Sequence, residues 1–139
     1  MKKLFLSFVA ITFLFALTGC ECSVSTANIT DAKVCTTLNG NLCSQDNATL
    51  PASSQVIYAS CVLKNAPENT VVKFTWSYLG DTTIEIDSVE LSSGDNIGNI
   101  DMFSSLSRPN NGWPTGLYQV SMEIVGENGK PVIKQFNIQ

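Results

Sequence analysis

The sequence predicts an all-β fold in residues 33–139, a single antiparallel sandwich of about seven or eight strands behind a cleaved signal peptide. Three observations support this prediction. Apolar and polar residues alternate with a period of two along most of the region, as they do in half-buried strands. Clusters rich in Gly, Pro, Asn, Asp and Ser separate the alternating runs. The composition is 44% hydrophobic and only 14% charged, which suffices for one packed core in 139 residues.

The N-terminal segment is typical of an export signal. Met1-Lys2-Lys3 precedes an uncharged run over residues 4–17, which is shorter than the roughly 20 residues that a membrane span needs. The run ends in Leu17-Thr18-Gly19-Cys20, which resembles the lipobox of bacterial lipoproteins. The resemblance implies cleavage before Cys20 and a diacylglyceryl group on its thiol. An ordinary secretory signal ending near Gly19 is the alternative that the sequence leaves open.

Both alternatives predict export, with residues 1–19 as the signal peptide and residues 20–32 as a flexible tether rich in Ser, Thr and Asn. Acyl chains on Cys20 would hold the protein at the cell membrane or outer membrane, facing the periplasm or the cell exterior. Each buried methylene contributes about 0.8 kcal/mol, so several chains anchor a protein stably.

Charge and composition exclude several classes of function. Removal of residues 1–19 leaves six basic and twelve acidic side chains, and the basic ones are scattered along the chain. Nucleic-acid binding is therefore disfavoured, because phosphate recognition needs clustered Lys and Arg. The chain has no histidine, which excludes Ser-His-Asp and Cys-His catalysis and histidine-ligated metal sites. We expect a protein without enzymatic activity, cofactor or metal.

Four cysteines remain after Cys20 is assigned to lipid. Because exported proteins meet oxidising conditions, disulfides are the first interpretation. A Cys35–Cys43 pair is favoured, since Asn39-Gly40 lies between the two residues and is typical of a tight turn. Cys22 and Cys61 are left as a second pair or as free thiols.

Two runs near the middle of the chain, Gln55–Leu63 and Val71–Tyr78, predict half-buried strands. The connection between them contains Pro67, which cannot donate a ladder hydrogen bond and ends a strand. We expect the two strands to pair as a hairpin. The predicted inward faces are Ile57, Ala59, Cys61 and Leu63 on the first strand, and Val72, Phe74, Trp76 and Tyr78 on the second.

Weaker strands are predicted at Thr83–Ile86, Ser88–Leu91 and Ile100–Leu106. The alternation of apolar residues slips by one position between the first two of these runs. The slip predicts a β-bulge or a change of sheet near Asp87.

The last two runs, Leu117–Val125 and Val132–Ile138, predict a hairpin. Their connection, Glu127-Asn128-Gly129-Lys130, contains the Asn-Gly pair that favours a type I′ turn, because both central residues of that turn need positive φ. Lys134 interrupts the inward apolar face of the final strand.

Three positions resemble a pattern of immunoglobulin-like domains. Cys61 is followed fifteen residues later by Trp76, and Tyr118 comes near the start of a later strand. This order is similar to the strand-B cysteine, strand-C tryptophan and strand-F tyrosine corner of that family. The sequence departs from the pattern at Val120, where the disulfide partner would stand. The resemblance extends to small immunoglobulin-like domains of bacterial lipoproteins, and it implies a fold without a function.

Trp113 is the candidate partner-binding residue. It lies in a loop over residues 108–116 that is rich in Pro and Gly. An exposed tryptophan on such a loop would stack on a sugar or anchor a protein. The alternative is that Trp113 covers the open end of the sandwich just before Tyr118.

Residues 81–101 carry six acidic and no basic side chains. The spacing does not match an EF-hand loop, so we interpret these charges as solvated groups that keep strand edges from aggregating, rather than as calcium ligands. A carboxylate pair among Glu85, Asp87 and Glu90 would be needed for glycoside hydrolysis.

These observations lead to a ranked functional prediction. The first is a lipid-anchored cell-envelope binding or adhesion module that presents sandwich loops to a protein or glycan. The second is a structural or accessory subunit that docks into an envelope complex through a sheet edge. A carboxylate-based hydrolase is a distant third.

Overall fold

The computed structural model describes residues 26–127 and 129–139. The lipobox, Cys20 and Cys22 lie outside the described residues. Within these ranges the regular secondary structure is entirely β, which confirms the prediction of an all-β fold. No helix among the described residues has the length and apolar character to cross a bilayer. The strands are β1 (Asn28–Cys35), β2 (Leu38–Asn39), β3 (Leu42–Cys43), β4 (Thr49–Leu50), β5 (Val56–Ala66), β6 (Val71–Leu79), β7 (Thr83–Ser92), β8 (Gly98–Ser107), β9 (Gly116–Ile124) and β10 (Val132–Ile138).

The strands form two main sheets and a small hairpin. One sheet has three strands in the order β1-β5-β8, and the other has five in the order β4-β10-β9-β6-β7. Strands β2 and β3 pair only with each other. The expectation of purely antiparallel pairing was wrong at one place, because β4 runs parallel to β10. This short strand supplies partners for the edge of β10, where Ala48 O accepts a hydrogen bond from Asn137 N–H at 2.8 Å.

The predicted hairpin between the two central strands was also wrong, since β5 and β6 lie in different sheets. Both strands carry an apolar face, and placing them in facing sheets buries each face against the other. The chain turns out of the first sheet near a register shift between Leu63 and Ala66. Asn65 and Asn69 adopt positive φ values of 56° and 58° on either side of Pro67, which redirects the backbone.

The two main sheets share one hydrophobic core. The predicted inward residues of β5 are all buried, and so are the first three predicted for β6. Trp76 Nε1–H donates a hydrogen bond to Ser104 Oγ at 3.0 Å, which joins the five-stranded sheet to β8 of the other. This bond satisfies the polar atom of a fully buried indole. The largest buried side chains of the core are Trp76, Tyr118, Phe74, Phe136, Leu50, Ile57, Leu63 and Met122.

The predicted disulfide is confirmed. Cys35 and Cys43 are joined, with their Cα atoms 5.7 Å apart. Gly40, between β2 and β3, has a φ of 66°, as the tight turn requires. Cys43 N–H donates to Ser60 Oγ at 2.8 Å, which fixes the disulfide-closed hairpin onto β5.

The slip in the apolar alternation corresponds to a real bulge. The two predicted runs form the continuous strand β7, in which Glu85 pairs with Ser77 and Asp87 pairs with Trp76. Ile86 therefore has no partner on β6, and the predicted bulge near Asp87 is confirmed.

The final hairpin pairs as predicted, with Val132 opposite Met122 and Ile138 opposite Gly116. The predicted type I′ turn includes Asn128, which lies outside the described residues. Just before it, Gly126 has a positive φ of 84°. Glu127 N–H donates to Ile124 O at 3.4 Å, so the chain turns directly at the end of β9.

The domain begins earlier than residue 33. Strand β1 starts at Asn28, which pairs with Lys64, and Ile29 pairs with Leu63. Part of the expected tether is thus a strand, because this segment can form ladder hydrogen bonds along the exposed side of β5.

Candidate functional site

Trp113 is buried and not available as a binding residue. Only 6% of it is exposed, and its Nε1–H donates a hydrogen bond to Ser54 O at 2.6 Å. Its ring meets the Tyr118 ring edge-on, with centroids 6.4 Å apart. The geometry therefore matches the covering role. The sequence left the choice open because an irregular loop has no periodicity that would indicate which way a side chain points.

Tyr118 is the centre of an aromatic cluster at this end of the core. Its hydroxyl donates to Pro114 O at 2.5 Å, four residues upstream. Its ring stacks on Phe136 at a centroid distance of 5.5 Å and meets Tyr78 edge-on at 5.0 Å. Burial, with a smaller effect of Tyr78, raises the pKa of the Tyr118 hydroxyl to about 12. This hydroxyl stays protonated and acts as a structural hydrogen-bond donor.

Cys61 is a fully buried thiol in the same core as Trp76. It is not in a disulfide. Burial raises the pKa of this thiol to about 12, so the nucleophilic thiolate does not form near neutral pH. Cys61 packs as a small apolar side chain.

A surface ion pair links the segment after the disulfide to β10. Lys134 Nζ lies 2.6 Å from Asp46 Oδ2, and Asp46 Oδ1 accepts a hydrogen bond from Val34 N–H at 3.0 Å. Burial would raise the pKa of the Asp46 carboxyl. The hydrogen bonds from Lys134 and Val34, together with the positive charges of Lys134 and Lys33, outweigh burial and hold this pKa below its ordinary value of 3.8. The pair explains the lysine on the inward face of β10.

The carboxylates considered for hydrolysis lie on an open strand. Glu85, Asp87 and Glu90 are all exposed on β7, which has a strand neighbour on one side only among the described residues. Within residues 26–127 and 129–139, no three Cys, Asp or Glu side chains converge as metal ligands would.

The distinctive surface of the described domain is the outer edge of β7. We define the β7 edge as residues Thr83–Ser92, a ten-residue strand at the margin of the five-stranded sheet. Ile84 is 56% exposed and Ile86 is 42% exposed. Two large apolar side chains thus flank the exposed Glu85 on a strand whose outer backbone faces solvent.

The sequence did not indicate this surface. Ile84 and Ile86 looked like ordinary members of a weak strand, and their exposure follows from the position of β7 at the sheet margin. That position depends on long-range topology, which the local alternation of residues does not encode.

Comparison with known proteins finds similarity among solved structures. No protein-family model matches the chain, and no curated protein matches it. Among solved structures, the chain is similar to part of a Pseudomonas fluorescens alkylpurine DNA glycosylase, AlkC, bound to DNA containing an abasic site analog. The identity is 14% and the TM-score is 0.47, over 83% of this chain and 31% of that one. The chain thus spans about a third of that protein's length.

Proposed function

We propose that this protein is an exported, lipid-anchored immunoglobulin-like domain that docks a protein partner through the β7 edge. The observation that carries the proposal is the pair of exposed isoleucines, Ile84 and Ile86, on a long strand with an unpaired outer edge. Such an edge offers ladder hydrogen bonds and apolar contacts to an added strand.

The other sheet margins are less suited to strand addition. Strand β1 is interrupted between Thr30 and Lys33, where Asp31 has a φ of 54°. Strand β4 has only two residues. Strand β8 is as long as β7, but its exposed positions carry Asn, Asp and Ser. Interruption, shortness and polarity are the usual protections of an edge. Strand β7 also has a bulge at Ile86 and acidic residues, but it differs from these margins in combining ten residues with two exposed isoleucines.

The burial of Trp113 favours the edge over the loops. A loop-based adhesion surface was suggested by that tryptophan, and its indole is engaged with Ser54 and Tyr118 inside the domain. We therefore favour docking through a sheet edge, which was the second functional prediction from the sequence, over binding through loops.

The immunoglobulin-like assignment has two supports and one departure. The strand orders place β5, with Cys61, in one sheet and β6, with Trp76, in the facing sheet, as strands B and C lie in that family. Tyr118 lies near the start of β9 and donates to a backbone carbonyl four residues upstream, which is the geometry of a tyrosine corner. Val120 replaces the second cysteine, and Cys61 is accordingly an unpaired core residue.

The lipid anchor is supported by the lipobox at Leu17-Thr18-Gly19-Cys20. The first strand begins only eight residues after Cys20, so the anchor would hold the domain close to the membrane. Mass spectrometry of the mature N-terminus should find a diacylglyceryl-modified Cys20. An unmodified thiol at that position would contradict the anchor.

Photocrosslinking tests the docking surface directly. The full-length protein would carry p-benzoylphenylalanine in place of Ile84 and be irradiated in its native membrane. We expect one discrete protein adduct, which disappears when Ile86→Asp is added. The matched control places the same probe at Ile133, which is also exposed but lies on β10, separated from β7 by β9 and β6. Equal adducts at both positions, or an adduct that survives Ile86→Asp, would contradict docking at this edge.

A further inference from the structure

We infer that the segment recognised by the β7 edge is an extended strand in which apolar and basic residues alternate. This inference rests on the proposed docking function and specifies the chemistry of the partner. It is carried by Ile84, Glu85 and Ile86, in which exposed apolar and acidic residues alternate along the outer edge of β7.

Most of the negative charge of this surface has no basic residue opposite it in the sheet. Between Phe74 and Ser107 the chain has no basic residue. The ion pair found among the described residues is Lys134–Asp46, on a different part of the molecule. Glu90 has Lys73 opposite it on β6, whereas Glu85 is opposite Ser77. The carboxylate of Glu85 therefore has no basic side chain opposite it on β6, and a cation from a partner could pair with it.

Asp87 plays a different role from Glu85. Its Oδ1 accepts a hydrogen bond from Ser88 N–H at 2.8 Å, next to the bulge. This contact occupies one backbone donor of the strand. The residues best placed for an added strand are therefore Ile84, Glu85 and Ile86, which precede that contact.

Charge argues against a second copy of the same chain as the occupant. A two-fold antiparallel pair of β7 edges centred on Glu85 would set the Glu85 side chain of one copy against that of the other. Centring the pair on Asp87 would set the two Asp87 side chains against each other. Directly opposed like charges destabilise a cross-strand pair, so these carboxylates oppose self-association while leaving the edge open to a basic strand.

A partner strand with alternating apolar and basic residues complements both the exposed isoleucines and the carboxylate of the β7 edge. Its apolar residues cover Ile84 and Ile86, and its Lys or Arg side chains lie beside Glu85 and near Asp81. Opposite charges across a strand pair are attractive, and the ladder hydrogen bonds supply affinity that does not depend on sequence. The charge of the partner strand then determines which strands bind the edge.

The inference can be tested with three fluorescein-labelled peptides of equal length that alternate Val with Lys, Val with Ser, or Val with Glu. Binding to the mature protein in detergent would be followed by fluorescence anisotropy, and the docking position by amide hydrogen exchange of residues 83–92. We expect the Val/Lys peptide to bind about tenfold more tightly than Val/Ser, with Val/Glu weakest, and to protect the β7 amides. Raising the salt concentration should reduce this preference.

Two charge variants of equal size make the test specific. Glu85→Lys should reverse the preference toward the Val/Glu peptide. Glu68→Lys, in the exposed connection between β5 and β6, should leave the preference unchanged. Equal protection of β7 by all three peptides would overturn the basic-strand inference and leave edge docking intact. Binding that does not protect the β7 amides, or no binding by any peptide, would overturn both.

Discussion

Lys134 Nζ and Asp46 Oδ2 lie 2.6 Å apart and join the final strand to the segment that follows the disulfide hairpin. The same carboxylate accepts a hydrogen bond from the backbone of Val34, a buried residue at the end of β1. Asp46 therefore links the two main sheets at their surface, and it does so with a charge that depends on pH.

The stability of the domain should fall at acid pH in a way that depends on Asp46. Because the folded-state pKa of Asp46 is lowered, its contribution is fully present above the unfolded value of about 3.9 and is lost as the pH falls through the folded value. For this exposed pair we expect about 0.5–1 kcal/mol. Urea unfolding between pH 2 and 7 should show this loss in the wild type and not in Asp46→Asn. Parallel curves for both proteins would contradict it.

Asp46→Ala should be more damaging than Asp46→Asn. The asparagine oxygen still accepts from Val34 N–H, whereas alanine leaves that buried donor unsatisfied. We expect an additional cost of about 1–3 kcal/mol in the free energy of unfolding at neutral pH. Equal stabilities of the two variants would show that Val34 N–H finds another acceptor.

Trp113 should matter for folding rather than for binding. Trp113→Phe removes the hydrogen bond to Ser54 O and should lower the free energy of unfolding by about 1–3 kcal/mol. At a temperature where the variant remains folded, the crosslink from position 84 should be unchanged. A normal thermal unfolding curve combined with a lost crosslink would instead place Trp113 in the binding surface.

The disulfide should stabilise the domain modestly. Closing a loop with a sequence separation of 8 contributes about 2–3 kcal/mol in the chain-entropy model. The double variant Cys35→Ser/Cys43→Ser should lose about this much in chemical unfolding while keeping its far-ultraviolet circular dichroism spectrum. A loss of the β spectrum at neutral pH would mean that the hairpin is needed for folding itself.

Cys61 should be chemically silent in the native protein. Its burial and its raised pKa, about 12, predict no alkylation by iodoacetamide at pH 8 until the domain unfolds. Peptide mapping after alkylation in native and in denaturing buffer measures this directly. Labelling in native buffer would show that the core opens at this position.

Much of the domain could be predicted from the alternation of residues. Ile57, Cys61 and Leu63 lie on one face of β5 and are buried, as a period of two requires. The slip before Val89 marked the bulge on β7 because an extra residue shifts every later side chain to the other face. The Asn39-Gly40 turn indicated the disulfide because it brings the two cysteines together.

The incorrect predictions concern strand pairings that depend on the long-range arrangement of the chain. A short connection around Pro67 is compatible with a hairpin and with a crossing between sheets. The crossing is favoured because it buries the apolar faces of both β5 and β6. The two-residue strand at Thr49 has no sequence signal of its own, because it is defined only by its pairing with the end of β10.

The proposed docking adds a strand to β7 when the protein is at the proposed membrane location. Hydrogen exchange of the amides in residues 83–92, compared between the membrane-bound protein and the purified protein in detergent, tests this most directly. We expect the β7 amides to exchange more slowly on the native membrane than in detergent, with β8 unchanged as the internal reference. Identical exchange of β7 in both preparations would contradict it.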